Sequence, residues 1–360
     1  MQDIPMSRWL SPLMAFCLSF MLMVTLAPTV GIQIDRPLDF WLLWLISMLV
    51  LALPIGYLEI ALVRRAKTSA LNALMGLTRD ADASPRWRIA GWLAVSFIPF
   101  LAGAILANAG HVLQGNGLIL TSESILFLIA AVIAVGFSFI PRIWLTLVLV
   151  VGVLASLVLS HLFPLQLEAW HVTAISFTEW GNATVLALVA SGLGLGVYSQ
   201  TSLVQLNQAE HVSQVQFPIW IAQLLAVIAF GFFAVQTQIP ALSVMITALF
   251  AAALLLQLAR EQLQQRQVSI ILQWIIQLLP LFIWAVTATL NVFNLLVMLW
   301  GLVICLIYAV FVGWVMKISH LRKALNFSNE AIYNLWRIAV RIVLPLSIVL
   351  AIIAIVMGHI

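Results

Sequence analysis

Long apolar runs recur along the whole chain, and they restrict its possible folds more than any other feature. The eleven runs lie at 9–32, 40–63, 89–113, 124–140, 142–163, 183–204, 217–238, 241–259, 269–289, 292–315 and 336–357. Most are close to the length, about twenty residues, at which a helix crosses the hydrocarbon core of a bilayer. Backbone polar groups find no partners in lipid, so only helices or closed barrels span it, and these runs lack the alternation of barrel strands. We therefore predict an all-α integral membrane protein.

The distribution of basic residues predicts how the chain crosses the membrane. Hydrophobic residues make up 64% of the chain and charged residues 8%, far from the balance of a water-soluble domain. When the N-terminus is placed in the cytoplasm, every Lys and Arg except Arg36 falls at a cytoplasmic end or loop. Because cytoplasmic loops are enriched in these residues, the pattern predicts a cytoplasmic N-terminus, eleven helices and Ile360 on the outer side. The short loops fit a bacterial inner (cytoplasmic) membrane, and the basic excess does not indicate nucleic acid as a partner.

Other classes of function find little support in the sequence. Cys17 and Cys305 both fall inside apolar runs, where a thiol behaves as a small hydrophobic group and no disulfide is suggested. No phosphate-binding loop follows a strand, and no elbow serine or pair of carboxylates marks a cavity, so we predict that the protein is not an enzyme. The histidines and acidic residues of the outer loop at 161–182 follow no standard metal-site spacing, so no metal ligand is assigned.

Three glycines interrupt the sixth run near its middle. Gly192, Gly194 and Gly196 fall within five residues of one another, and this density weakens a helix. Interrupted helices of transporters expose backbone groups at the middle of the bilayer, and the hydroxyls of Ser191 and Tyr198 stand beside this interruption. Close helix packing through small residues also explains the spacing of Gly192 and Gly196, so both interpretations stay open.

The first run carries Pro28 and Gly31 toward its outer end, so the first and sixth runs are each interrupted. Interruptions in corresponding helices of two halves are a sequence signature of transporters built from inverted repeats. Within one transmembrane domain we therefore predict a first repeat of helices 1–5 at about 9–163 and a second of helices 6–10 at about 183–315. Helix 11, at about 336–357, stands outside the repeats.

Three segments resemble the neurotransmitter:sodium symporter family. The second run contains Leu53–Leu62 (LPIGYLEIAL), which is similar to the family's Gly-x-Pro-x-x-x-x-Glu-x-x-x-Gly signature and keeps its proline and, at Glu59, its acid. Asn334–Pro345 (NLWRIAVRIVLP) is similar to the entry of the family's last helix. The sixth run, with Trp180 before Ser191, resembles the broken helix that contacts substrate. The resemblance implies a divergent, bacterial, eleven-helix member with a five-plus-five inverted-repeat transporter fold that moves an amino acid or small organic amine.

The resemblance also implies where substrate binds, between helices 1, 3, 6 and 8. The candidate residues are Ser191, Gly192, Gly194, Gly196, Tyr198, Asn108, Met21 and Met23. The serine and the glycines of the sixth helix are expected to offer hydroxyl and backbone groups to the substrate. Since the two methionines make the lining mainly apolar, a hydrophobic solute is favoured over a charged one.

The sodium-binding motifs of the family are replaced in this chain. Counting from Ser7-Arg8, Met21–Pro28 stands where the family carries the Gly-x-Gly-Asn-x-x-Arg-Phe-Pro run of its unwound first helix. The apolar Ala251–Leu256 replaces the hydroxyl residues of the eighth helix. Sodium is a hard ion that needs oxygen ligands. The family implies coupling to sodium, but its usual ligands are missing here, and no other cofactor is indicated.

Few polar groups lie inside the runs, and each has two interpretations. Pairing of Glu59 with Arg64 or Arg65 gives it a structural role, and proton coupling is the alternative. Asn108 and His111 share a helix face, so they serve either as polar contacts between helices or as ligands. The basic loop at 317–335 fits either a plain topology-setting loop or a short helix lying on anionic lipid.

Two hypotheses for the function follow. The first is a secondary transporter for a small organic solute, and the second is a degenerate family member that no longer transports and serves as a membrane scaffold, sensor or partner subunit. Helix 1 distinguishes them, because transport requires it to be unwound opposite helix 6. A continuous helix 1 packed against helix 6 would contradict transport. The expected partners are the lipid bilayer and a small organic solute, and the sequence does not specify an oligomeric state.

Overall fold

The computed structural model describes residues 7–30, 38–115, 121–162, 169–192, 206, 209, 211–234, 239–327 and 329–359. Every regular element within these residues is a helix, as the sequence predicts. The α-helices are α1 (Ser7–Leu26), α2 (Leu38–Ser47), α3 (Leu53–Ala66), α4 (Ala70–Asp80), α5 (Ile89–Gly115), α6 (Glu123–Phe137), α7 (Arg142–Leu162), α8 (Phe177–Ala190), α9 (Ser213–Ile228), α10 (Ala241–Gln265), α11 (Ile270–Phe282), α12 (Leu290–Val310), α13 (Ile318–Leu325), α14 (Glu330–Ile338) and α15 (Leu344–His359).

Eight helical stretches of the described residues are long and apolar enough to cross a membrane. They are Trp9–Thr29, Leu38–Ala66, Pro85–Gly115, Arg142–Leu162, Ser213–Phe232, Ala241–Gln265, Thr287–Val315 and Glu330–Gly358. Two shorter apolar helices, Glu123–Phe137 and Ile270–Ala285, coincide with the fourth and ninth runs. The sixth run is α8, which is described as far as Gly192. The first, third and eighth runs are α1, α5 and α10, and the division into two repeats stays a prediction.

Within the described residues, four of the membrane helices contain a π-helical turn. These turns are Met48–Ala52, Ala229–Ala234, Phe311–Val315 and Ala339–Val343. A π turn widens the helix by one residue and disturbs its regular hydrogen-bond ladder. The turn at Met48 lies just before Pro54, which has no N–H to donate to the preceding turn. The Trp220 indole of α9 donates to the carbonyl of Met48 at 2.9 Å, so a neighbouring helix supplies a hydrogen-bond donor to a carbonyl of this π turn.

The helices α5 and α10 form the centre of the bundle. α10 packs along α5, and α6, α7, α11 and α12 surround this pair. Ala251, Ala252 and Ala253 of α10 are fully buried, and small residues let two helix backbones approach closely. On the other side, α1 packs against α9 and also contacts α5, α7 and α8. The apolar eighth run thus builds the core of the molecule.

The basic loops meet at one end of the bundle, which we call the basic end. Lys317 pairs with Asp82 at 3.6 Å, which joins the loop after α12 to the loop after α4. Arg142 pairs with Glu261 across α7 and α10, and the guanidinium of Arg266 lies 4.7 Å from the ring centre of Trp92. The segments that the charge pattern assigns to the cytoplasm are therefore together in the folded chain, as a single cytoplasmic side requires.

Two boundaries differ from the sequence prediction for the same physical reason. The sixth helix begins at Phe177 rather than near 183, because Ser176 and Glu179 form a capping box with hydrogen bonds of 3.1 Å and 2.7 Å. The last membrane helix begins at Glu330 rather than near 336, because the Asn329 side chain caps its first turn. In both cases the residues that fix the start of the helix are polar and precede the apolar run, so hydrophobicity alone does not predict the boundary.

The loop at 317–335 is largely helical, although a plain loop was the first of its two interpretations. α13 buries Leu321 and Leu325 and packs against α3. Its apolar side therefore covers protein, so α13 does not lie on lipid through that side.

Candidate functional site

The sixth run is interrupted where its glycines begin. α8 ends at Ala190, and the Ser191 hydroxyl donates to the Leu188 carbonyl at 2.7 Å, within the last turn. Gly192 has φ 78°, a left-handed conformation that no regular helix contains. At 1.5 Å per residue, the fourteen residues of α8 span about 21 Å, so the helix ends before a full crossing. Gly194, Gly196 and Tyr198 lie outside the described residues, and their assignment to the substrate site stays a prediction.

Helix α1 is continuous over the segment that is unwound in the symporter family. Its α-helical hydrogen bonding extends from Ser7 to Leu26, and the Thr25 hydroxyl donates to the Met21 carbonyl at 2.8 Å. Only at Ala27–Val30, around Pro28, does the chain tighten into a 3₁₀ turn. α1 also packs against α8. This is the arrangement that the non-transporting hypothesis predicts for helix 1.

Met21 and Met23, proposed to line a substrate cavity, lie in the hydrophobic core. Their exposed fractions are 1% and 0%. Neither side chain faces open space in this conformation, and their assignment as substrate contacts stays a prediction. At the position of the family's second sodium-binding group, Ala251–Leu256 is at most 1% exposed and carries no side-chain oxygen. Ala251–Leu256 therefore offers sodium no side-chain ligand, and in Met21–Pro28 the Thr25 hydroxyl is the one side-chain oxygen.

Asn108 of α5 forms a reciprocal amide pair with Asn294 of α12. Asn108 Nδ2 donates to Asn294 Oδ1 at 2.8 Å, and Asn294 Nδ2 donates to Asn108 Oδ1 at 2.9 Å. Asn108 Nδ2 also reaches the Ala104 carbonyl at 3.0 Å, and both side chains are about 5% exposed. The pair is therefore a polar contact between two helices, and the assignment of Asn108 to the substrate site stays a prediction. His111 points away from it and contacts Glu123 at 2.8 Å.

An aromatic cluster lies beside this amide pair. Phe100, Trp284, Phe293 and Trp300 pack with ring centres 5.1–6.2 Å apart and join α5 to α12 and to the end of α11. A Cβ atom on Gly103 would lie 2.3 Å from the Trp284 ring, so only glycine fits beneath the indole. The cluster fills the space between these helices with rings.

Glu59 is the buried acid that the sequence singled out, and it is 4% exposed in α3. Of the two arginines expected to pair with it, Arg65 pairs with Asp80 at 3.1 Å and Arg64 donates to the Ala209 carbonyl at 3.0 Å. The fully buried Tyr308 of α12 lies within electrostatic range of the Glu59 carboxylate. A structural or a coupling role for Glu59 stays a prediction.

Sequence reasoning missed the polar contacts that α9 makes with the second membrane helix. The Gln216 side chain lies so close to Gly56 that a Cβ atom there would be 1.9 Å from its nitrogen. The Tyr57 hydroxyl donates to Ser213 at 3.0 Å. Gln216 could have been flagged as a buried amide near the start of an apolar run, but nothing in the sequence identifies its partner. Among the described residues no three His, Cys, Asp or Glu side chains form a metal-binding group.

Comparison with solved structures relates this architecture to a transporter fold. The chain is similar to MhsT, crystallised in complex with L-phenylalanine, with a TM-score of 0.56 over 94% of this chain and 98% of that chain, at 16% sequence identity. No family model and no curated protein matches the sequence. At this identity the likeness shows the fold alone. The chain is thus a multi-pass, transporter-like membrane protein by fold, as predicted, and its family membership stays a prediction.

Proposed function

We propose that this protein keeps the fold of a secondary transporter without a sodium-coupled transport cycle, and that it serves in the bacterial inner membrane as a scaffold, sensor or partner subunit. Helix α1 carries the proposal. It is continuous from Ser7 to Leu26, whereas symporters of this fold bind ion and substrate at an unwound segment of that helix.

A continuous α1 disfavours sodium-coupled transport because it leaves few backbone groups free to bind an ion or a substrate. An unwound helix offers carbonyl oxygens to a cation and N–H groups to an anionic substrate at the middle of the bilayer. In α1 these groups are used within the helix, and the Met21 carbonyl also accepts the Thr25 hydroxyl. Without side-chain oxygens at Ala251–Leu256, the described residues offer sodium few ligands at the family's positions.

A thermal-unfolding screen of the detergent-purified protein tests this proposal. The panel holds amino acids and small amines, each in sodium chloride and in an equal concentration of potassium chloride. A ligand at a hundred times its Kd stabilises the folded state by about 2.7 kcal/mol, so even modest binding raises Tm. We expect no change in Tm that requires sodium. Stabilisation by one solute in sodium but not in potassium would overturn the proposal.

Uptake into proteoliposomes gives an independent reading. We expect the panel of labelled solutes to accumulate no faster than in protein-free vesicles when a sodium gradient is applied. Accumulation that needs both the protein and the gradient would contradict a non-transporting role, whatever the Tm screen gives.

The interruption of α8 favours one second candidate, a sodium-independent carrier for an amino acid or small organic amine of mainly apolar character. α8 ends partway through the bundle at Ser191 and Gly192, as expected of a helix that contacts solute. Under this candidate one solute raises Tm equally in sodium and in potassium, and Ser191→Ala weakens that effect. Ser160→Ala is the matched control, because Ser160 is buried and makes the same local bond, to Leu157 at 2.6 Å.

A further inference from the structure

We propose that the basic end carries a binding site for the phosphate group of an anionic phospholipid, formed by Arg337 and Arg341 beside Tyr333. The site lies where α12 ends and α14 begins its membrane crossing. It is separate from the α1 and α8 region, so it does not depend on whether the protein transports.

A small depression marks the place. It is shallow, with a volume of about 10 Å³, and lies between the π turn at Phe311–Val315, the helix α13 and the start of the last membrane helix, so a headgroup would rest on its rim rather than inside it. Arg337 and Arg341 are four residues apart and both line it. Tyr333 and Trp336 pack at 6.0 Å between ring centres and form its buried floor. The Trp336 indole is used inside the protein, since it donates to the Pro54 carbonyl at 3.1 Å.

Positive charge converges on this depression. Arg337 and Arg341 line it, and Arg322 directly follows another lining residue, Leu321. The acids nearby are occupied, because Glu330 pairs with Arg322 at 3.1 Å and Asp82 pairs with Lys317 at 3.6 Å.

Three cations of this region keep their charge available. Within the part of the chain that the structure describes, Lys323, Arg337 and Arg341 have no carboxylate at ion-pair distance. Arg341 is held in place, because its Nε donates to the Gly313 carbonyl and its guanidinium carbon lies 5.5 Å from the Trp314 ring centre. Its two terminal nitrogens are left for an anion, and guanidinium groups bind phosphate oxygens in pairs.

The surroundings select a lipid rather than a soluble phosphate. Trp314, Ile338 and Ile342 are each more than half exposed beside the two arginines. Exposed apolar side chains on a membrane helix face acyl chains, and a tryptophan at this level is typical of the headgroup region. Basic pockets between membrane helices on the cytoplasmic side bind anionic headgroups. A phospholipid is the ligand that satisfies the charge and the apolar surface together.

Native mass spectrometry of the full-length protein in detergent tests the site. The protein is titrated with palmitoyl-oleoyl phosphatidylglycerol or with the zwitterionic palmitoyl-oleoyl phosphatidylcholine, and the retained lipid is counted. We expect the wild-type protein to retain phosphatidylglycerol in preference, and Arg337→Gln to weaken its binding about fivefold. Arg337→Lys, which keeps the charge, is expected to retain most of the preference.

Arg86→Gln is the matched control, because Arg86 is an exposed guanidinium at the same end that has no carboxylate partner among the described residues. It is expected to bind phosphatidylglycerol as the wild-type protein does. Equal binding of the two lipids by the wild-type protein would overturn the proposal without any variant. If Arg86→Gln and Arg337→Gln weakened phosphatidylglycerol binding equally, the binding would reflect general surface charge and the proposed site would be overturned. Displacement of phosphatidylglycerol by an equal concentration of glycerol 3-phosphate would assign the site to a soluble anion and overturn the choice of lipid.

Discussion

The Asn108–Asn294 pair is a closed hydrogen-bonding unit whose two side chains are at most 5% exposed. Each amide donates to the other, and the spare proton of Asn108 goes to the Ala104 carbonyl. A buried amide that loses its partner keeps the cost of its desolvation without the hydrogen bond. The pair therefore ties α5 to α12 more strongly when complete than either amide does alone.

Asn294→Leu is expected to destabilise the protein because it leaves the Asn108 amide buried and half satisfied. We expect a loss of about 1–2 kcal/mol in the free energy of unfolding, measured by SDS titration in mixed micelles. The double variant with Asn108→Leu is expected to recover part of this loss, because no unpaired amide remains. A double variant that loses the sum of the two single losses would show that the amides are not coupled.

Gly103 and Trp284 make a second prediction about single residues. A Cβ on Gly103 meets the indole at 2.3 Å, so Gly103→Ala is expected to cost about 1–3 kcal/mol by overpacking. Gly136→Ala is the control, because Gly136 lies in the membrane helix α6 and a Cβ there meets nothing within 4 Å. Tm in detergent checks both variants. Equal Tm for the two would contradict the close contact.

The sequence predicted which polar residues lie in the interior, but it did not predict their partners. Asn108 stood out because amides are rare in an apolar run, but its partner is 186 residues away in sequence. Arg64 and Arg65 were expected to pair with Glu59 because they are close in sequence, and the contacts of Arg64 with Ala209 and of Arg65 with Asp80 could not be predicted from that spacing. Sequence proximity favours pairs within a helix, whereas the Asn108 and Asn294 amides pair between helices.

Helix ends are where the elements of this protein depart from their apolar runs. α8 begins in a polar stretch because Ser176 and Glu179 satisfy its first free N–H groups. It ends early because Gly192 adopts φ 78°. The runs predicted that these helices exist, since burial in lipid requires apolar length, and the capping residues fixed where they begin.

Ser176→Ala is expected to loosen the first turn of α8. Loss of an N-cap hydrogen bond typically costs about 1 kcal/mol, and here the reciprocal Glu179 bond loses its geometry as well. Hydrogen exchange read by mass spectrometry is expected to speed up at the start of α8. Ser122→Ala is the control, because Ser122 stands at the N-cap of α6 without a side-chain cap bond. Similar acceleration in both helices would contradict the capping role.

The whole molecule is a bundle whose first helix is part of its core. Cys17 of α1 and Cys305 of α12 are free thiols with exposed fractions of 1% and 0%. A thiol reacts as thiolate and only where a reagent reaches it. In a protein that alternates between inward-open and outward-open states, α1 moves with its surroundings, so these thiols report whether the bundle opens.

Neither thiol is expected to react with a fluorescent maleimide in the folded protein at room temperature, and both are expected to react after denaturation in SDS. Ser84→Cys, in an exposed loop at the basic end, is the positive control for reagent access. The labelling time course measures the result. Rapid labelling of Cys17 in the native protein would show that α1 leaves the core and would favour the carrier over the non-transporting role.

At the scale of the molecule, the all-α membrane architecture followed from the length of the apolar runs and the placement of basic residues, whereas the transporter fold followed from the two interrupted runs and from the resemblance of three segments to the symporter family. The basic loops meet at one end, for example through Lys317 and Asp82, as the charge rule requires. The sequence did not predict whether α1 is unwound. The composition of Met21–Leu26 is compatible with a helix, but it gives no information about the neighbouring residues that would stabilise an unwound segment. Whether a membrane helix unwinds depends on partners for its freed backbone groups, and those partners come from elsewhere in the chain.

The four π turns have a consequence for how such a chain changes over generations. Each turn contains one more residue than an α-helical turn does, and this is how a helix with both ends anchored takes up a one-codon insertion. Removing that codon would restore an unbroken α-helix, and the residues beyond the turn would keep the faces that they present now, because the turn has taken up the extra residue. Descendants of one ancestor can therefore differ in length by one position within a membrane helix while both ends of that helix keep their contacts.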